Sequence, residues 1–236
     1  MRFTQSKPQR LSTGSVHCLL ALLVILLTGC SFKMKNLVKG DVDMIVDQHI
    51  QELNTLTARL LVKLYKRNPK ELAKAPGKTI EKRRHQLAAP PPNYHFAELS
   101  REVGDGALSL AFNPNFSGDR VFALMVGLKS MLHGSYGMRT EIFLLDELNQ
   151  QLLYHSARNL EIINWRLNNY RGDDGQLYLL SNGVQAGIAN LSFERLFGKM
   201  ILIQDMMAKV VSGKNNRTIN TVVHSLASTV LLPIPL

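Results

Sequence analysis

Hydrophobic positions along this chain recur at intervals of three, four and seven residues, the spacing of one face of an α-helix. The first stripe is Val42, Val46, Leu53, Leu56, Leu60 and Leu64, widened by Ile45, Ile50 and Leu61. It predicts a helix from Asp41, with Asp41 and Asp43 near its positive end, to about Arg67. Asn68-Pro69-Lys70-Glu71 reads as a fresh start: Asn68 as N-cap, Pro69 as first helical residue, Glu71 as the capping-box partner. Pro76-Gly77 ends that short helix. Residues 96–112 read as helical in parts, interrupted by Gly104-Asp105-Gly106 and closed by a turn at Asn113-Pro114-Asn115. A helix over 119–133 carries Val121, Phe122, Met125, Leu128 and Leu132 on one side. Thr140 is placed to cap the longest predicted helix, 141–170, striped by Leu145, Leu148, Leu152, Ile163 and Leu167.

Beyond a turn at 171–175, residues 176–180 are too short a stretch to classify. A further helix begins between Ser181 and Ser192 and ends near Gly213, with Leu196, Phe197, Met200, Ile203, Met207 and Val210 along it. Residues 215–232 read as a last apolar helix that Pro233 and Pro235 terminate. Sustained alternation of apolar and polar residues, the mark of strands, is missing. The expected class is all-α, an irregular helical bundle with an N-terminal helical arm.

The start of the chain follows a different rule. Residues 1–17 carry Arg2, Lys7 and Arg10 and no acid, and Cys18 to Leu27 is an apolar run of ten. At ~1.5 Å per residue that run reaches roughly 15 Å, about half a bilayer core, which suits a cleaved leader better than a spanning helix. It ends in Leu27-Thr28-Gly29-Cys30. These thirty residues resemble the signal of bacterial lipoproteins. The resemblance implies cleavage before Cys30, acylation of Cys30, and attachment to a membrane outside the cytoplasm. In Gram-negative lipoproteins an Asp after the cysteine favours inner-membrane retention. Ser31 stands there, which implies an outer-membrane location facing the periplasm. The mature region resembles no functionally characterised family.

Ala88-Ala89-Pro90-Pro91-Pro92-Asn93 is the clearest internal boundary, since three prolines suit neither a helix nor a central strand. The expected division is 1–29 signal peptide, 30–39 lipid-anchored tether, 40–88 basic helical arm and 94–236 bundle. A proline loop within a single domain is the competing reading. Cys18 leaves with the leader and Cys30 takes lipid, so the mature chain has no cysteine for a disulfide or a metal cluster. Stability has to come from apolar packing.

The formal charge of +10 is concentrated. Outside the leader, acids and bases balance except over 63–84, where Lys63, Lys66, Arg67, Lys70, Lys74, Lys78, Lys82, Arg83 and Arg84 face only Glu71 and Glu81. Such a cluster attracts an anionic surface at ~1 kcal/mol per cation: a phospholipid head group, a lipopolysaccharide phosphate or an acidic envelope protein. Nucleic acid is disfavoured by the compartment and because only Tyr65 interleaves the charges for stacking.

Catalytic patterns are weak. His133-Gly134-Ser135-Tyr136-Gly137 lacks both the glycine two residues before the serine and a preceding strand, so a helix-ending turn explains it better than a nucleophile elbow. No histidine pair has helix-borne metal spacing, so no metal and no cofactor is expected. His155, Arg158, Asn159, Ile162 and Arg166 share one face of the predicted 141–170 helix, and Ser156 and Asn159 break its apolar stripe. Tyr136, Arg139, His155, Arg158 and Asn159 are the candidates for a polar pocket; a solvated face or an interhelical hydrogen-bond network is the structural alternative. The first functional expectation is a non-catalytic scaffold or assembly factor of the envelope, with an envelope protein as partner. The second is a carrier whose bundle encloses an apolar ligand, suited by Met- and Phe-rich helices. An enzyme built on the His155–Arg158 region is third.

Overall fold

Asp41 opens the first of seven α-helices among the residues described by the structure, a computed structural model that covers 41–89, 92–139, 148–185, 188–221 and 230–236. The chain is all-α, an irregular helical bundle, as its periodicity predicts. The predicted leader and the lipid-bearing Cys30 lie outside the described residues, as does Thr140.

α1 (Asp41–Arg67) buries Val46, Leu53, Leu56, Leu60, Leu61 and Leu64, the stripe read from the sequence. Ile45 departs from it and is exposed, although its neighbour Val46 is fully buried. α2 (Pro69–Ala73) begins with Pro69 at its first position, but Asn68 does not cap it. The Asn68 amide instead donates to the carbonyls of Leu64 (2.8 Å) and Leu180 (2.9 Å) and accepts from the Leu180 N–H (2.7 Å). A distant backbone segment has outcompeted the local cap. α3 (Ile80–Ala88) is capped by Thr79, whose hydroxyl accepts from Lys82 N–H.

A 3₁₀ turn, Ala97–Leu99, leads into α4 (Gly104–Phe112) and α5 (Arg120–Ser135). Gly104-Asp105-Gly106, expected to interrupt a helix, forms the first turn of α4. Close packing explains the glycines. A Cβ on Gly127 of α5 would stand 2.7 Å from the Gly104 carbonyl oxygen, and one on Gly104, itself at φ +48°, would strike the Leu236 side chain. α5 is the central helix, buried around almost its whole circumference. The Arg120 guanidinium donates to the carbonyls of Ala111 (3.0 Å) and Asn113 (2.7 Å), so a cation sits on the negative end of α4.

α6 (Gln150–Asn169) is shorter than the predicted 141–170 helix. It starts at Asn149, whose side chain accepts from the N–H groups of Gln151 and Leu152, and α1 is the longest helix among the described residues. Arg171 and Leu177 form an isolated bridge, and β1 (Gly183–Gln185) pairs antiparallel with β2 (Ile188–Asn190) in a short hairpin the periodicity did not predict. α7 (Ser192–Asn215) follows. The predicted last helix over 215–232 is not found at 216–221 or 230–232; the rest of it lies outside the described residues. Its closing residues are used otherwise: Leu231 is buried, and the Asn159 side chain holds both the N–H (2.7 Å) and the carbonyl (2.8 Å) of Leu232.

One cluster of buried side chains runs from Val46 through α3, α4, α5 and α6 to Val211 and Leu231. α1 touches α3, α5 and α7, so the basic segment after it is packed on the bundle. Its deepest tie is electrostatic. Arg83 of α3 is fully buried, forks onto Glu98 (2.6 and 2.7 Å), reaches Asp119 (3.2 Å) and lies 3.8 Å over the Phe122 ring. Asp119 also caps α5 through Phe122 N–H (2.9 Å) and accepts the Tyr65 hydroxyl of α1 (2.7 Å). Burial raises the Asp119 carboxyl above the usual carboxylate range, opposed by those donors and by Arg83. Removing one partner strands the others in the core. Asp119→Ala is therefore expected to lower unfolding free energy by about 3–5 kcal/mol in urea denaturation. Glu81→Gln, which touches only the surface pairs with Arg84 and His85, is expected to leave the urea midpoint unchanged.

Candidate functional site: an apolar cavity beside a basic groove

Between α1, α3 and α5 the packing leaves a cavity of about 310 Å³. Leu53 and Leu61 of α1, Leu87 of α3, Met125 and Leu132 of α5, and Tyr94 supply its apolar wall. The polar residues that line it are Asn54, Thr57, Arg84, Lys129, His133, Tyr136 and Arg139, and no carboxylate is among its lining residues. The combination is apolar and positively charged.

Lys129 arises at a half-buried position of the otherwise apolar α5, and its ammonium donates to the Asn54 amide oxygen at 3.1 Å. Burial lowers its pKa from the ordinary 10.5 to about 8. One turn on, neither ring nitrogen of His133 meets a partner in full hydrogen-bonding geometry among the described residues, although the Arg139 backbone stands close enough to act on the ring. Burial and then the Lys129 charge keep that imidazole below its ordinary 6.5, with the Arg139 backbone opposing them. The His133 ring meets Tyr94 edge to face at 5.8 Å. The Tyr136 hydroxyl turns away to donate to Gln204 (2.9 Å), whose amide in turn donates to the Ser135 hydroxyl (3.0 Å).

Asn54, Ala58 and Arg84 line a second depression as well. This is an open groove of about 750 Å³ between α1 and α7, carrying Arg59, Lys63, Arg84, Arg195 and Lys199 and no acid. Lys63 donates to the Ser192 hydroxyl and lies 4.7 Å from the Phe193 ring centroid. Burial, then the nearby Arg195 charge, lowers its pKa. Arg84 bonds Glu81 (2.6 and 3.0 Å) on the exposed side of α3. Cavity and groove thus share a wall, apolar on one side and cationic on the other.

The nine basic residues picked from the sequence are dispersed. Only Lys63 and Arg84 reach the groove. Lys66, Arg67 and Lys70 are exposed, with Arg67 donating to the Ser181 carbonyl at 3.3 Å. Lys74 is clasped by Glu71 (2.7 and 2.8 Å), Lys78 is half-buried, and Lys82 donates to the Gly77 carbonyl (2.9 Å). Arg83 is a correction: a fully buried guanidinium touches no external surface, and its charge is spent on Glu98 and Asp119. The polar-pocket set also divides. Tyr136 and Arg139 line the cavity, while Asn159 holds Leu232, His155 meets the Pro233 carbonyl (3.1 Å), and Arg158 pairs with Glu161 (2.9 Å) and Asp205 (2.8 Å). That half is a network binding the C-terminal segment and α7 to α6.

Sequence reasoning missed Lys129, Arg59, Arg195 and Lys199. Two signals were present: Lys129 is the one charge within the apolar run 121–132, and Arg59/Lys63 and Arg195/Lys199 are basic pairs at helical spacing. Nothing in the sequence says that the two pairs belong to adjacent helices. Among the described residues no group of three His, Cys, Asp or Glu could hold a metal, and no helix is long and apolar enough to cross a membrane. The chain matches no protein-family model, no curated protein and no solved structure.

Lys129 makes the site measurable. Its folded pKa is depressed, so the unfolded chain holds a proton that the folded one has lost between about 8 and 10.5. Its cost to stability is full below about 8 and vanishes as pH rises to 10.5. Carbon-detected NMR of the lysine side chains is expected to show one resonance titrating near 8. Lys129→Met is expected to be more stable than the parent at pH 7, with the advantage shrinking toward pH 10.5.

Proposed function

We propose that this protein is a non-catalytic lipoprotein of the bacterial envelope, held to the outer membrane by acylated Cys30 and facing the periplasm, whose helical body carries an apolar ligand. The cavity supports this reading: at about 310 Å³ it falls at the lower end of the ~300–1,000 Å³ of ligand sites, and its walls are aliphatic and aromatic with a few convergent polar groups. A membrane surface supplies apolar ligands, and an acyl anchor keeps the carrier beside them. His155 and Arg158, on which the enzyme reading rests, bond the Pro233 carbonyl and Asp205.

A scaffold is the second reading, favoured by the outer face of α7. Leu202, Met206 and Val210 lie there at fourfold spacing, exposed by 59%, 48% and 40%. Such a stripe is what a partner helix would cover.

Two measurements test the proposal. Palmitate labelling in cells is expected to mark the protein and to fail for Cys30→Ser; an unlabelled wild-type chain contradicts the anchor. Native mass spectrometry of protein extracted from membranes is expected to show a bound apolar ligand. Ala58 lines the cavity from a half-buried position, so Ala58→Trp is expected to intrude and abolish that species while the chain stays folded. A ligand-free wild-type spectrum would favour the scaffold.

A further inference from the structure

The wall shared by cavity and groove says what kind of molecule would fill both. We infer that the ligand is a single-chain amphipath with a phosphate head, its alkyl chain in the cavity and its phosphate in the basic groove. This rests on the carrier reading and specifies its ligand.

Three observations carry it. The first is size. At about 310 Å³ the cavity stands at the lower end of the ~300–1,000 Å³ of ligand sites, a space that suits one medium-length chain better than the two chains of a membrane phospholipid. The second is continuity. Asn54, Ala58 and Arg84 face both spaces, and Lys129 is bonded to Asn54 at that border, so a molecule leaving the apolar wall meets cations at once. The third is charge. Arg59, Lys63, Arg195 and Lys199 line the groove, and no acid pairs with them among the described residues. A carboxylate brings one charge and two oxygens. A phosphate monoester brings up to two charges and three oxygens, and so engages cations from α1 and α7 together. The Arg195 charge already disfavours protonation of Lys63, a repulsion that a dianion between the helices relieves.

The test uses the full chain carrying Cys30→Ser, purified without detergent and titrated calorimetrically with decyl phosphate, decanoate, decanol and inorganic phosphate. Decyl phosphate is expected to bind at least tenfold tighter than decanoate, decanoate tighter than decanol, and inorganic phosphate at least a hundredfold more weakly than decyl phosphate. Arg195→Gln with Lys199→Gln is expected to weaken decyl phosphate at least tenfold and to leave decanol unchanged. These surface changes spare the core, and an unaltered melting curve confirms it. Ala58→Trp is expected to abolish decanol binding.

Decanol binding as tightly as decyl phosphate, or groove variants without effect, would overturn the phosphate assignment and leave the carrier reading intact. Inorganic phosphate binding as tightly as decyl phosphate would overturn the bipartite site, since the chain would then contribute nothing. Binding of no probe at all would remove both the inference and the carrier reading.

Discussion

A guanidinium with no access to water fixes the geometry of everything around it. Arg83 is held between Glu98 and Asp119 and over the Phe122 ring, and Asp119 is simultaneously the cap of α5 and the acceptor of the Tyr65 hydroxyl. A charge in the interior is tolerated only when its partners surround it, so α1, α3 and α5 can meet only in the arrangement that supplies them all. The next residue shows the consequence. With Arg83 turned inward, Arg84 faces outward at the junction of cavity and groove, and Leu87, one turn later, closes the apolar wall. The buried network decides where the exposed chemistry stands.

The site that results is built on opposition. Apolar side chains line a small cavity, and every charged residue along it is basic. Lys129 and His133 are held against their preference for water, one bonded only to an amide and the other with neither ring nitrogen in full hydrogen-bonding geometry, among the described residues. Polar groups kept at an apolar wall without mutual satisfaction cost stability, and such a cost is characteristic of binding sites. The opposite treatment appears at the far side of α6. There Asn159 and His155 are bonded by the C-terminal segment and Arg158 by Asp205 of α7, and the result is mechanical.

The helices were legible because burial and helical period coincide: Leu53, Leu56, Leu60 and Leu64 had one face on which to hide, and Asp119 could be seen at a helix start. What misled were residues with two possible employers. Asn68 and Pro69 have the form of a cap, yet the side chain is taken by Leu180 from across the fold. Gly104-Asp105-Gly106 looks like a break, yet it starts α4, with the Gly104 carbonyl packed close to Gly127 of α5. Charge was legible as a run and misleading as a surface. Nine cations in sequence scatter from the end of α1 through α2 to α3, one of them into the core, while the groove draws on Arg195 and Lys199 from more than a hundred residues away. Local pattern reports elements; the pairing of α1 with α7 is tertiary information.

One continuous path from cationic groove to apolar cavity carries the proposed function. A crystal structure of the full chain soaked with decyl phosphate is its sharpest test. One stretch of density is expected, with the phosphate in hydrogen-bonding distance of Arg195 or Lys199 and the chain passing Ala58 to lie against Leu61 and Met125. Alkyl density on the outer face of α7, with the cavity empty, would contradict it.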